Sequence, residues 1–190
     1  TVDKVVSAGG IVIYAHPYWT AHSLEEMSEM TGYIALEVYN AVCDIKCAKG
    51  YNDVHWDQAL NKGKILAGIA TDDVHRSHEI NNGWTMIKAG ALTTSEIMKA
   101  IGNGSYYASC GPTIKNFQLK DRVVRLECSP VSMITFQFNG SGGGRVFQAG
   151  EKDTITMAEW EISDKCQWVR AAVKDPNGHF AWTNPVYVNS

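Results

Sequence analysis

The chain has 190 residues, 45% of them hydrophobic and 19% charged, with six tryptophans and a net charge of −3; this suits one ordinary domain or two small ones. No lysine- or arginine-rich block is present, so nucleic-acid binding through phosphate neutralisation is not expected. No run approaches the roughly 18 apolar residues of a membrane span, and residues 1–15 lack the basic start and cleavage site of a secretory leader. The cysteines (Cys43, Cys47, Cys110, Cys128 and Cys166) are five, without paired Cys-x-x-Cys spacing. A disulfide framework is therefore not expected, and a reducing, cytoplasmic compartment is. Cys43 and Cys47 lack the second close pair of a zinc site and read as small apolar residues.

Residues 1 to 113 alternate strand-like and helix-like segments. "GIVIYAHP" is a short apolar strand. "SLEEMSEMTG" reads as a helix, with Ser23 at the N-cap and Gly32 as its stop. "YIALEVYN" is a second strand, and "NDVHWDQALNKG" a helix ended by Gly63. "KILAGIAT" and "GWTMIKAGA" are further strands, and "TTSEIMKAIGNG" is a helix with a Thr93-x-x-Glu96 start. This alternation predicts a parallel α/β layout. Near "SCGPT" the rhythm changes, and residues 114–190 form period-2 segments separated by turn residues. That pattern predicts an all-β, sandwich-like module, with "GSGGG" at 140–144 as a flexible turn.

Polar residues collect where the strands of the first half end. His16 follows "GIVIYA", Glu37 and Asn40 close "YIALEVYN", and Asp72, Asp73, His75 and His78 follow "KILAGIAT". In parallel α/β folds the carboxyl ends of strands share one rim, and the rim hosts the site. Each residue has an ordinary reading: loop histidine, rim salt bridge, turn cap. Jointly, imidazoles and carboxylates delivered from three strands predict a divalent metal centre, because an ion removes the penalty for gathering charge. There is no nucleophile elbow, no P-loop and no dinucleotide fingerprint.

"GGIVIYAHPYW", "IALEVYN", "DDVH" and "GWTMIKAGALTTSEIMKAIGNGSYYASCGP", in that order, resemble the second half of the PHP (polymerase and histidinol phosphatase) superfamily, CehA/McbA-like group. The resemblance implies the C-terminal half of a distorted (β/α)7 barrel over residues 1–113, followed by the β module. It implies a metal-dependent hydrolase, a phosphoesterase using metal-activated water, with two or three zinc, manganese or iron ions in the full-length protein. His16, Asp73, His75 and Glu37 match its metal positions, with Asp73 and His75 central to catalysis. Asn40, Arg76 and His78 are candidate contacts to a small, phosphorylated substrate.

The family's N-terminal His-x-His motif is missing from this sequence. The chain is therefore expected to be a fragment with weak metal binding and negligible turnover, its open strand edges inviting self-association into a homo-oligomer. Two other readings stand beside it. One is a carbohydrate- or protein-binding module with a degenerate barrel, using Trp160, Trp168, Trp182 and Tyr187 as stacking surface. The other is amide or carbamate hydrolysis at the same metal centre.

Overall fold

The computed structural model describes residues 2–140 and 144–188; most of the expected glycine-rich turn at 140–144 lies outside the described residues. The chain divides into two compact units, Thr1–Ala108 and Ser109–Ser190. The first unit runs α1 (Val2–Ser7), β1 (Val12–Tyr14), α2 (Pro17–Thr20), α3 (Leu24–Glu29), β2 (Tyr33–Asn40), α4 (Ala41–Cys47) and α5 (Asp53–Asn61). It continues through β3 (Ala67–Thr71), a 3-10 turn (Ser77–Glu79), β4 (Trp84–Ile87), α6 (Thr94–Gly102) and β5 (Tyr106–Ser109).

Local chemistry explains the helix starts. The Ser23 hydroxyl accepts the Glu26 N–H (3.2 Å), and the Glu26 carboxylate accepts the Ser23 N–H (2.7 Å), a reciprocal box that opens α3. Asn40, the last residue of β2, also caps α4 by accepting the Cys43 N–H (2.9 Å). Strands β1, β2 and β3 pair in parallel in that order, with β2 central and nearly all buried. Behind the sheet, Trp56 of α5 is fully buried and donates its indole N–H to the Leu66 carbonyl (3.1 Å). Gly68 of β3 faces that ring so closely that a Cβ would sit 2.6 Å from it.

The parallel layer stops at three strands. At its β3 edge, the Thr85 hydroxyl of β4 accepts the Ala70 N–H (3.1 Å) and donates to the Ala70 C=O (2.9 Å). One side chain thus takes both backbone groups that a fourth ladder strand would need at that position. The described strands lie in three sheets, and none is closed into a barrel. This overturns the resemblance to the PHP superfamily and the expected half of a (β/α)7 barrel: strand–helix alternation is present, but the curling, continuing parallel sheet is not.

In the second unit every described regular element is a strand: β6 (Ile114–Lys120), β7 (Val123–Val131), β8 (Met133–Phe138), β9 (Arg145–Gln148), β10 (Ile155–Glu161), β11 (Trp168–Lys174), β12 (Phe180–Thr183) and β13 (Val186–Tyr187). β7 pairs antiparallel with β6 and β10. β8 pairs with β9 and β11, and β11 also with β12 and β13. Side chains from both sets of strands fill the core, including Leu126, Val131, Ile134 and Phe136. Trp168 and Trp182 are buried there, and the Trp160 ring packs on Phe136 and Phe138. The tryptophans considered as a stacking platform are thus engaged in packing.

Candidate functional site

The rim of the parallel layer is organised by carboxylates that bind the chain itself. Glu37, 8% exposed, faces three neighbours from three strand ends. One carboxylate oxygen accepts the His16 backbone N–H (2.8 Å) and the Asn40 amide (2.9 Å). The other accepts the Thr71 hydroxyl (2.9 Å). The same Asn40 amide group also donates to the Asp73 carboxylate (3.2 Å).

The loop after β3 is held in the same manner. Asp72 accepts the backbone N–H groups of Asn81 (2.7 Å), Asn82 (2.7 Å) and Gly83 (2.8 Å). Buried Glu79 accepts those of His75 (2.7 Å) and Arg76 (2.9 Å) and pairs with Lys46 of α4 at 2.5 Å. The Lys46 ammonium and these amides hold the Glu79 carboxyl at about 2, far below its ordinary value. The adjacent aspartates of "DDVH" therefore differ in role. Asp72 folds the loop, while Asp73, in the left-handed region at φ 55, turns its carboxylate toward Asn40.

Between α2, α4 and this loop lies a cavity of about 400 Å³ lined by His16, Trp19, Lys46, Asp73, His75 and Arg76, with Val42, Cys43 and Cys47 along its α4 side. His16 also sits at positive φ (27), caps α2, and packs edge-on against Trp19 with ring centroids 5.0 Å apart. Its Nδ1 is buried with no hydrogen-bond partner. Burial, reinforced by Cys47 and the Asp73 and Glu37 carboxylates, pushes the Cys43 thiol up to about 11, so it stays protonated.

Four residues expected at a site, His16, Asp73, His75 and Arg76, thus share one cavity. Glu37 and Asn40 lie beneath them as supports, and His78 is exposed on the loop and does not line the cavity. Sequence reasoning missed Trp19, Lys46 and the α4 wall. The capping asparagine before "AVCDIKC" is the signal that reveals that helix.

A shared cavity is not a coordination sphere. Among the described residues no group of three or more His, Cys, Asp or Glu side chains is placed to hold a metal ion. Both Glu37 oxygens are taken by protein donors, and His75, 63% exposed, turns Nδ1 to the Asp73 carbonyl (2.7 Å). His75 Nδ1 stands 4.0 Å from the Asp73 carboxylate. The expected zinc, manganese or iron centre, the metal-dependent phosphoesterase activity and the amide-hydrolase variant built on it are corrected accordingly. No described helix is long and apolar enough to cross a membrane.

No family model matches the chain, and neither a curated protein nor a solved structure matches it.

Proposed function

We propose that the first unit binds a small phosphorylated ligand in the cavity between α2, α4 and the loop after β3. The observation that carries this reading is Arg76: it lines the cavity and has no ion-pair partner among the described residues. A guanidinium offers a planar fork of donors that matches phosphate oxygens. Lys46 supplies a second cation, since Glu79 occupies one of its three N–H donors. The His75 imidazole opens to the same space, and the volume suits a small molecule. His75 acts here as a binding group. All five cysteines are free thiols, which supports a cytoplasmic setting for this protein.

Calorimetric titration of the full chain with inorganic phosphate and with glycerol 3-phosphate tests the reading. Both bind, and Arg76→Gln weakens both by about tenfold, in line with losing a charge-assisted pair. Rising salt weakens wild-type binding as well. Absence of binding at millimolar ligand, or binding indifferent to Arg76→Gln, overturns the proposal.

A further inference from the structure

The cavity is bipolar. Arg76 and Lys46 supply positive charge, yet Asp73 presents a carboxylate to the same space, and simple phosphate has no use for it. Asp73 accepts one protein hydrogen bond, at Oδ2 from Asn40; Oδ1 stands 4.0 Å from the nearest His75 nitrogen, beyond hydrogen-bond range. His16 lines the cavity, and its buried Nδ1 has no partner within the protein; a buried polar atom left so costs about 1–3 kcal/mol. Trp19 lines it too and is 52% exposed.

These features ask for hydroxyl donors and a flat C–H face on the same molecule as the phosphate. A carboxylate with an open oxygen accepts hydroxyl protons, and an indole face packs against the apolar side of a pyranose or furanose ring. We infer that the ligand is a phosphorylated monosaccharide, its phosphate on Arg76 and Lys46, its hydroxyls on Asp73 and the His16 ring, and its ring face on Trp19. The inference rests on the phosphate-binding reading above and adds the part of the ligand that the phosphate alone leaves unexplained.

The experiment titrates the full chain with glucose 6-phosphate, mannose 6-phosphate, ribose 5-phosphate, inorganic phosphate and glucose, on wild type, Asp73→Asn, Trp19→Ala and Arg76→Gln. Asparagine is chosen because it tolerates the left-handed backbone of position 73 and keeps an oxygen for Asn40. At least one sugar phosphate binds about tenfold or more tightly than inorganic phosphate. Asp73→Asn and Trp19→Ala remove that advantage without weakening inorganic phosphate binding, whereas Arg76→Gln weakens both.

Equal affinity for every phosphate with no effect of the Asp73 and Trp19 variants overturns the sugar assignment and leaves phosphate binding standing. Loss of all phosphate binding in wild type overturns both. Circular dichroism of each variant guards against misfolding; should Trp19→Ala unfold, Trp19→Leu, which keeps bulk but removes the flat ring, takes its place.

Discussion

Replacing Glu37 measures how firmly the rim is tied. In Glu37→Leu the shape is kept but the His16 N–H, the Asn40 amide and the Thr71 hydroxyl lose their acceptor. The hydroxyl rotates to other partners and Asn40 keeps Asp73, so the cost falls mainly on His16 and partly on Asn40. At about 1–3 kcal/mol for each stranded donor, the loss is about 4 kcal/mol. Glu37→Gln differs. Its carbonyl serves His16 and Asn40, and its NH2 donates to Thr71, whose hydroxyl reverses, so only charge assistance disappears and the loss is about 1 kcal/mol. Urea denaturation followed by circular dichroism reads both, since at a slope of about 2 kcal/mol/M the midpoints fall by about 2 M and about 0.5 M. Equal shifts for the two variants, or a leucine variant as stable as wild type, would refute the view that one carboxylate binds three strand ends.

Glu79 predicts a pH dependence with a definite sign. Its folded value, about 2, lies below the ordinary 4.5, so its contribution is complete above that ordinary value and disappears as pH falls from about 4.5 toward 2. Glu79→Gln should therefore narrow its melting-temperature gap to wild type across that window, and a constant gap contradicts the assignment. Gly68→Ala is expected to destabilise by about 2 kcal/mol, because its Cβ meets the buried Trp56 ring at 2.6 Å; a neutral result in the same urea assay means the ring yields.

The parts of this architecture legible in the sequence are those that local chemistry decides. The largely apolar eight-residue segment of β2 and the Ser23 and Thr93 caps place their elements closely. α4 escapes because Asn40 ends a strand and begins a helix with no breaker between them. The extent of the parallel sheet escapes for a different reason: alternation says that strands follow helices, but the hydroxyl of Thr85, fifteen residues from Ala70, decides where pairing ends. At the rim, residue type and order bring His16, Asp73, His75 and Arg76 to one place. The same residue types mislead about chemistry, because the partners of Glu37, Asp72 and Glu79 are mostly backbone amides whose positions exist only once the loop has folded.

The threonine at the sheet edge acts as a counterfeit strand. A bare rim of amides and carbonyls is a template onto which any extended peptide can zip, and one hydroxyl that donates and accepts at Ala70 fills that slot from within. One oxygen atom from β4 thus occupies the slot at Ala70, and valine in its place, equal in shape, would leave both backbone groups without that partner.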